Sequence, residues 1–384
     1  MKKFYILYAA LLFTACKKHV SSKPAVAGSS GSSTQTCPLA STTTNQLKDR
    51  YIVALKGSLA EPRIDGKVLP AVIGSVFSRN KMPARSLRTY FSGQSGGFIT
   101  RLTPGELEQL KNDPAVLRIE PDRVIAMGGC FKVVDTTLLT WNIKMVGYGD
   151  GSGKTAWVID SGIDFDHPDL DVDSASSRSF LDNDPSAADA YGHGTHVAGI
   201  IGARNNAFGV LGVASGATLV SLRVLDGTGA GTIGGMVQAL AYAGSHASPG
   251  DVVNISVDAD TISDILDQQV KETAAKGIFV VIAAGNDGKP FADISPARCT
   301  GQNIYTVTAI DSLDYFASFS NYGKGYAAPG VQILSTWLGG TYAIGSGTSE
   351  AAPHLAGLLL LDGANFKTSG TALNDPGGDP IVHQ

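Results

Sequence analysis

Apolar residues form short, regularly spaced runs along most of the chain after residue 50. Five of these runs are rich in β-branched residues and are apolar at nearly every position, which is typical of strands buried on both faces of a sheet. They cover residues 155–160, 217–225, 251–256, 278–285 and 304–310. Helical patterns lie between them, at 194–203, 232–247 and 262–276. The alternation predicts an α/β fold with a doubly wound, mostly parallel sheet.

A smaller domain is predicted before this region. Apolar residues alternate at 50–56, which indicates a strand, and residues 96–102 predict a second strand after an irregular stretch. The sequence T-P-G-E at 103–106 has the residues of a capping box, so a helix is expected to begin there. Another strand follows up to residue 125, and the order β…β-α-β predicts a small α+β domain.

The N-terminus has the pattern of an export signal. Two lysines precede an apolar stretch at 4–13, which is too short to span a bilayer. Small residues then stand just before Cys16, and this resembles a bacterial lipoprotein signal in which Cys16 is lipidated. Phe13 departs from that motif, so a plain secretory signal stays as the alternative. Residues 1–15 are therefore predicted to be a signal peptide, and the protein to be extracellular or lipid-anchored.

Charge is distributed unevenly over the rest of the chain. Residues 16–47 are rich in Ser and Thr and predict a flexible tether. Residues 48–127 carry 13 Lys and Arg against 8 Asp and Glu, whereas residues 128–384 carry 12 against 26. Opposite net charges favour docking of the two parts on each other. Two independently solvated surfaces are the alternative, and no basic cluster indicates nucleic-acid binding.

Three short blocks carry the residues that nucleophilic acyl chemistry needs. V-I-D-S-G-I-D contains Asp160, G-H-G-T-H-V-A-G contains His193, and G-T-S-E-A-A-P-H contains Ser349. A serine hydroxyl needs a base to take its proton, and the base needs an acid partner to orient it. The three residues are therefore predicted to be the nucleophile, base and acid of a serine hydrolase.

The order Asp, His, Ser and the flanking residues resemble the subtilisin-like serine proteases, or subtilases, over roughly residues 48–365. The resemblance implies a subtilisin-like sheet with helices on both faces, at 128–384. It also implies a ferredoxin-like propeptide domain at 48–127, which assists folding and blocks the active site until it is cleaved near 127–132. The expected protein is a monomeric serine endopeptidase made as a self-processing zymogen. It would act on protein or peptide substrates, with its own propeptide as inhibitor.

The same resemblance assigns further site residues. Asn286, in A-A-G-N, would stabilise the oxyanion together with the Ser349 backbone N–H. Substrate is expected to lie along two segments, 227–231 and 254–259, and the expected substrate-binding residues are Gly229, Gly231, Ser256, Val257, Asp258 and Gly285. Residues 257–259 depart from the family's usual Leu-Gly-Gly. Asp258 and Asp287 would make the S1 pocket acidic, so basic P1 residues are expected.

A calcium site is expected by the same resemblance. The loop at 204–212 is similar to the high-affinity calcium loop of subtilases. The ligands would be side-chain oxygens of Asp169 and Asn206 and the carbonyls of Arg204, Phe208 and Val210. A bare turn is the alternative. His193 and His196 have the spacing of a zinc pair, but no third ligand is evident, so His196 is interpreted as structural.

Several features depart from the family or stay open. Glu350 follows the nucleophile where the family usually has Met, and the sequence does not give the direction of its side chain. Only 35 residues follow Ser349, so the last helix is expected to be short or absent. Cys130 and Cys299 are expected to form a disulfide, because export permits one.

Two other classes of function share the scaffold. One is a catalytically impaired binding protein with the subtilase fold. The other is a peptide transferase or ligase, which uses an amine instead of water on the same acyl-enzyme. A phosphate-loop lookalike at 149–155 is interpreted as a tight turn, because it precedes a strand instead of following one.

Overall fold

The computed structural model describes residues 46–59, 70–83, 86–126, 132–133 and 138–384. The helices in these ranges are α1 (Ala71–Arg79), α2 (Pro104–Lys111), α3 (Trp141–Val146), α4 (His193–Gly202), α5 (Ile233–His246), α6 (Asp264–Ala274) and α7 (Thr348–Asp362). The strands are β1 (Gln46–Leu55), β2 (Leu87–Phe91), β3 (Gly97–Arg101), β4 (Val116–Ala126), β5 (Lys132–Val133), β6 (Gly149–Asp150), β7 (Thr155–Asp160), β8 (Asp171–Val172), β9 (Arg178–Ser179), β10 (Ala214–Ser215), β11 (Thr218–Arg223), β12 (Ala230–Thr232), β13 (Val252–Ile255), β14 (Phe279–Ala283), β15 (Ile304–Ile310), β16 (Tyr326–Pro329), β17 (Ile333–Trp337), β18 (Thr341–Gly345), β19 (Lys367–Thr371) and β20 (Pro380–His383).

The large domain is built on one twisted sheet. Its strand order within the described ranges is β19-β20-β16-β15-β14-β13-β7-β11-β8, with β9 also paired to β11. All of these pairings are parallel except that of β19 with β20. The predicted mostly parallel sheet is therefore confirmed, and each of the five apolar runs contains one of its strands.

Both faces of the sheet are covered, which explains the continuous apolar runs. Along β7, Trp157 and Ile159 pack into the core beneath α5 and α6, whereas Ala156 and Val158 pack into the core beneath α4 and α7. Because neither face of such a strand is exposed to water, side chains on both faces are apolar, and the sequence shows no alternation of polar and apolar residues. The predicted arrangement with helices on both faces is confirmed.

The small N-terminal domain has a four-stranded antiparallel sheet in the order β4-β1-β3-β2, with α1 and α2 packed on it. The predicted capping box is present, since the Thr103 hydroxyl accepts from the Glu106 N–H and the Glu106 carboxylate accepts from the Thr103 N–H. The interpretation of 57–95 as irregular was wrong. It contains α1, which buries Ile73, Val76 and Phe77, and also β2.

The N-terminal domain docks on the first turns of α5 and α6. Strand β4 extends into the large domain and pairs antiparallel with β12, with Ile125 opposite Gly231. Asp122 and Glu120, on one side of β4, accept hydrogen bonds from the backbone N–H groups of Gly234 and Ile265. Helix N-termini favour such negative charge, so the docking predicted from net charge is carried by specific carboxylates.

The C-terminal region adds strands instead of a helix. After α7, β19 and β20 form an antiparallel hairpin, and β20 joins the main sheet beside β16 through Ala327 and Ile381. None of the helices in the described ranges is long and apolar enough to cross a membrane.

Candidate active site

Three predicted site segments meet at the carboxyl edge of the main sheet. Strand β7 ends at Asp160, and its neighbour β13 is followed directly by Ser256. The next strand, β14, leads into Gly285 and Asn286. Parallel strands end at the same edge, and open α/β sheets place their sites there. Residues distant in the sequence are brought together by this topology.

Asp160 and His193 form a buried pair. His193 Nδ1 lies 2.8 Å from Oδ1 and 2.9 Å from Oδ2 of Asp160, and the two residues are 1% and 0% exposed. Two carboxylate oxygens facing Nδ1 place the ring proton on that nitrogen and leave Nε2 as the basic atom. Burial alone would lower the pKa of His193, but the charge of Asp160 and its hydrogen bond raise the pKa above its ordinary value.

Glycines on both sides of His193 permit this close approach. Gly192 precedes α4 with a left-handed backbone (φ 113°), and a Cβ there would overlap the Trp337 ring. A Cβ at Gly194 would overlap the Gly162 carbonyl and lie 3.0 Å from the Asp160 Cβ. Any larger residue at 194 would push α4 away from the loop that follows β7.

Asp189 is a supporting residue that the sequence reasoning missed. One carboxylate oxygen accepts from the N–H groups of Tyr191 and Gly192 and from the Ser161 hydroxyl, and the other accepts from Thr195. All of these donors except Ser161 lie at the start of α4, so Asp189 fixes the turn that carries His193. The signal in the sequence is an Asp four residues before the histidine, in D-A-Y-G-H.

Ser349 lies in the first turn of α7 and is bound to the segment after β13. Its hydroxyl donates to the Ser256 carbonyl at 2.9 Å, and the Ser256 hydroxyl donates to the Ser349 carbonyl at 2.9 Å. Backbone N–H groups in a first helical turn have no partner within the helix. The Thr348 and Glu350 N–H groups donate to Asn286 Oδ1 and to the Gly347 carbonyl, and the two bonds with Ser256 hold Ser349 against the segment after β13.

Asn286 is fixed by the residue before Ser349. Its Oδ1 accepts from the Thr348 N–H at 2.8 Å and from the Thr348 hydroxyl at 3.1 Å. Thr348 also accepts from the Gly285 N–H through its hydroxyl oxygen. Since the amide oxygen is engaged with α7, the NH₂ group is the part of Asn286 left to donate elsewhere. Thr348 was not predicted to have this part in the site.

The direction of the Glu350 side chain, which the sequence left open, is toward the two histidines. Its Oε1 lies 3.7 Å from His193 Nε2 and 3.6 Å from His196 Nδ1, and the residue is 1% exposed. Glu350 directly follows Ser349, so the turn of α7 that carries the hydroxyl also carries a carboxyl that faces the His193 ring. His196 Nε2 lies 3.1 Å from two backbone carbonyls, which supports its structural interpretation.

Comparison with known proteins identifies the family. Residues 151–367 match the model of the subtilase family, and residues 50–127 match that of the I9 peptidase inhibitors. The chain is a subtilase.

Named relatives agree with this assignment. Alkaline serine exoprotease A of Vibrio alginolyticus is 33% identical over 82% of this chain and 60% of its own length. An alkaline protease of Alkalihalobacillus alcalophilus is 39% identical over 68% of this chain and 67% of its own length. A cold-adapted subtilisin-like serine proteinase superposes with a TM-score of 0.57 at 31% identity, covering 64% of this chain and 98% of that one.

The I9 domain of this subtilase occupies the predicted substrate segment. Residues 124–126 of β4 pair antiparallel with residues 230–232 of β12. Ala126, the last residue of β4, lies opposite Ala230. The next described strand, β5, pairs with β18. An extended peptide can bind by adding a strand to a sheet edge, so the pairing of β4 with β12 covers the segment where substrate is expected.

The second substrate segment carries an acidic group. Asp258 lies against Gly285, where an added Cβ would be 2.9 Å from its Oδ2. Burial, followed by the charge of Asp287, raises the pKa of Asp258 to about 6. Lys289 pairs with Asp260 and lies 3.1 Å from Asp287 Oδ2. One lysine therefore lies among three carboxylates, those of Asp258, Asp260 and Asp287.

The predicted calcium ligands lie together around Asp169. Its Oδ1 accepts from the Asn206 amide at 2.7 Å, and its Oδ2 accepts from the Val210 N–H at 3.0 Å and from the Tyr342 hydroxyl at 3.2 Å. The set of oxygens fits calcium in its chemistry. A bound ion would have to displace the Asn206 amide from the carboxylate, because both Asp169 oxygens already have protein donors.

The predicted disulfide is not present at Cys299. This residue has a free, buried thiol whose Sγ lies 3.9 Å from the Asp267 carbonyl. Burial raises its pKa, so the thiol is protonated and unreactive. Cys130, its expected partner, and Cys16, the expected lipidation site, lie outside the described residues, as do the signal peptide and most of the tether.

Proposed function

We propose that this subtilase is an exported serine endopeptidase, made as a self-processing zymogen, in which Asp160, His193 and Ser349 are the catalytic residues. The observation that carries the proposal is the buried His193–Asp160 pair, whose basic Nε2 faces Glu350, the residue next to Ser349 in α7. An acid, a base and a hydroxyl on three rigid elements supply the groups that acyl transfer requires.

The reaction begins when the Ser349 hydroxyl turns from the Ser256 carbonyl toward His193. Ser349 Oγ attacks the peptide carbonyl carbon while its proton passes to His193 Nε2, and Asp160 stabilises the imidazolium through Nδ1–H. Negative charge on the carbonyl oxygen is stabilised by the Asn286 NH₂ group and the Ser349 N–H. His193 then returns the proton to the leaving amine, which gives an acyl-enzyme.

Water completes the cycle by the same groups. His193 takes a proton from the water as it attacks the acyl carbon, and the proton returns to Ser349 Oγ when the ester bond breaks. The carboxylic acid product leaves, and the enzyme regains its starting protonation. No other group in the described cleft has to change its charge for this sequence of steps.

The precursor is proposed to cleave itself between Ala126 and β5. Strand β4 enters the cleft paired with β12, and β5 lies in another sheet beside β18. The described residues on both sides of the expected junction are therefore each paired with a strand of the large domain. We expect the new C-terminal strand to stay bound as an inhibitor until it is degraded.

A phosphonate that phosphonylates active-site serines, forming a bond from Oγ to phosphorus as its leaving group departs, tests the assignment. We expect it to label the mature protein once, and we expect Ser349→Ala to remain at precursor mass without a label. Ser346→Ala is the matched control, because Ser346 Oγ only accepts from the Gln332 N–H and its loss should leave labelling unchanged. Labelling of Ser349→Ala, or maturation of that variant by itself, would refute the proposal.

The S1 pocket is proposed to be formed by 256–260 with Gly285, and to prefer basic P1 residues. Asp258 supplies the charge, and its position beside Gly285 supports this role. With three carboxylates and one lysine, the group stays net negative when Asp258 is ionised, which favours an arginine or lysine side chain.

Calcium is proposed to bind at Asp169 and the 204–210 loop. Asp169 and the carbonyls of Arg204, Phe208 and Val210 would hold the ion, and the Asn206 side-chain oxygen would turn toward it. The ion would join the loop after α4 to the segment after β7, which would stabilise the fold without taking part in peptide hydrolysis.

Export with cleavage of residues 1–15 and a lipid on Cys16 is also proposed, with a monomeric catalytic unit at 128–384. The intact mass of the membrane-associated protein tests the lipid. In Ser349→Ala, which keeps the residues from Cys16 onward in one chain, we expect the mass of that chain plus a diacylglycerol and an acyl group. A soluble product without added mass would leave the plain secretory signal as the explanation.

A further inference from the structure

A second carboxyl group lies on the side of the His193 ring opposite Asp160. Glu350 Oε1 is 3.7 Å from His193 Nε2, the atom proposed to take the proton of Ser349. The same Oε1 is 3.6 Å from His196 Nδ1, and Glu350 is buried in the first turn of α7. A carboxyl group at this distance from a general base affects whether the base holds a proton.

The hydrogen bonds of the two histidines define which atoms face Glu350. His196 Nε2 points at the carbonyls of Ile333 and Ala343, so it carries the ring proton and Nδ1 presents a lone pair. His193 carries its proton on Nδ1, toward Asp160, so its Nε2 presents a lone pair when the ring is neutral. Glu350 Oε1 then faces two nitrogen lone pairs, an arrangement that disfavours a bare carboxylate.

We propose that Glu350 and His193 hold one proton jointly, and that this proton must leave before His193 can act as the base for Ser349. In one form the proton lies on Glu350, which donates a hydrogen bond to His193 Nε2 once the 3.7 Å separation shortens to hydrogen-bond length, and in the other it lies on Nε2 as an imidazolium–carboxylate pair. Neither form can accept the Ser349 proton. The inference rests on the catalytic roles proposed for His193 and Ser349.

The charges around the pair come from four elements. Asp160 faces His193 from β7, and Asp189 acts on it from the turn before α4. His196 on α4 and His354 on α7 are buried, which lowers their pKa values to about 3 and about 4. His354 also uses both ring nitrogens, with the Glu350 carbonyl and with Asn142. Both histidines therefore stay neutral while the pair titrates.

The pair itself is tuned to titrate near neutrality or above it. Burial raises the pKa of Glu350 to about 7, and the pKa of His193 is also raised by its acidic neighbours. Two groups this close lose their protons in steps that belong to the pair. Raising the pH removes the shared proton, so we expect activity to appear on the alkaline side of an ordinary histidine.

The test is the pH dependence of kcat/KM for wild type, Glu350→Gln and Glu350→Met. Without the carboxylate the His193 imidazolium loses a stabilising charge. The acid limb of the kcat/KM profile, where activity falls as the pH drops, should therefore move to lower pH by about one unit. Activity relative to each variant's own maximum should then rise about tenfold on the acidic side. Acid limbs that coincide in all three proteins would overturn the inference.

Asp379→Asn is the matched control. Asp379 is a buried carboxyl whose pKa is raised to about 6, but it is bound to Thr308 and Gly325 at the far end of the sheet. Its neutralisation should leave the position of the acid limb unchanged. A shift equal to that of Glu350→Gln would show a general charge effect and would also overturn the inference.

A second measurement does not require turnover. In the full-length Ser349→Ala protein, the His193 Nδ1 proton can be followed by NMR as pH changes. Addition of Glu350→Gln should lower the midpoint of that titration by about one unit. An unchanged midpoint contradicts the shared proton even where activity is lost. Phosphonate labelling of wild type at alkaline pH distinguishes this result from failure of the protease assignment itself.

Discussion

At the scale of single residues, the site depends on side chains that are each held by specific partners. Asp160 orients His193, Ser256 positions Ser349, and Thr348 turns the Asn286 amide. The residue types and their order could be predicted from sequence, because acyl transfer needs a particular acid, base and hydroxyl. Asp189 and Thr348 could not, because Asp and Thr in turns commonly have only local roles.

Asn286→Ala should lower kcat by about 10²–10³ with a small effect on KM, because the amide acts on charge that develops in the transition state. Steady-state kinetics on a peptide substrate measure this. Gln302→Ala, which removes an exposed amide elsewhere, should have wild-type constants. An equal loss in both variants, or a loss confined to KM, would contradict the oxyanion role.

Asp258→Asn should reduce the preference for arginine over leucine at P1 by about tenfold, since the pocket loses a charge near the substrate cation. In wild type the preference should grow as the pH rises through about 6, because Asp258 becomes ionised there. Competition between two matched peptides gives the ratio of kcat/KM values. Cleavage only after large apolar residues would rule out the acidic pocket.

At the scale of elements, β4 joins the inhibitor domain to two helices. Its period of two puts Glu120 and Asp122 on one side, where they accept from the first turns of α6 and α5. Arg50 on β1 lies 2.6 Å from the second oxygen of Asp122. The strand itself was predictable from alternation, but its helix partners lie more than 110 residues away and become neighbours only in the folded chain.

Asp122→Ala should loosen the docked inhibitor strand, because the helix N-terminus loses an acceptor and buried Arg50 loses a partner. Breaking one member of a buried ion pair typically costs about 3–5 kcal/mol. In the Ser349→Ala background, hydrogen exchange at residues 124–126 and 230–235 should become faster.

Asp113→Ala is the control for this experiment. Asp113 lies in the same domain but pairs with Arg79 and Asn80, away from α5. Loss of the Asp113 carboxylate should speed hydrogen exchange near α1, while the backbone amides of the β4–β12 pairing stay protected from exchange. Equal protection of those amides in Asp122→Ala and its parent would mean that strand pairing alone holds the inhibitor.

At the scale of the whole molecule, an inhibitor domain lies over the cleft of a large two-faced sheet. The apolar runs determined that sheet, since strands covered on both faces need apolar side chains on both. The C-terminal hairpin of β19 and β20 extends the edge of the sheet, but few of its residues are buried, and β19 is exposed throughout. Strands with little burial need few apolar residues, so the sequence shows no clear apolar pattern there, which is why these strands were not predicted.

Calcium at Asp169 should raise the apparent melting temperature of the full chain. At a concentration of about 100 Kd the ion would contribute ~2.7 kcal/mol, so chelation should lower the midpoint by several degrees. Thermal scans of Ser349→Ala at one rate, with and without chelator, avoid self-digestion. Asn206→Ala should remove the difference between scans with and without chelator. An unfolding midpoint of the parent protein that does not change on chelation would count against the site.

The sequence by itself determined the sheet, its covering helices, the family and the chemical type of the site. Those properties follow from local patterns and from residue types that the chemistry requires. Only the tertiary structure decided which groups surround each site residue, including the direction of Glu350 and the free thiol of Cys299. Such contacts join residues far apart in the chain, and the path of the backbone in three dimensions sets their distances.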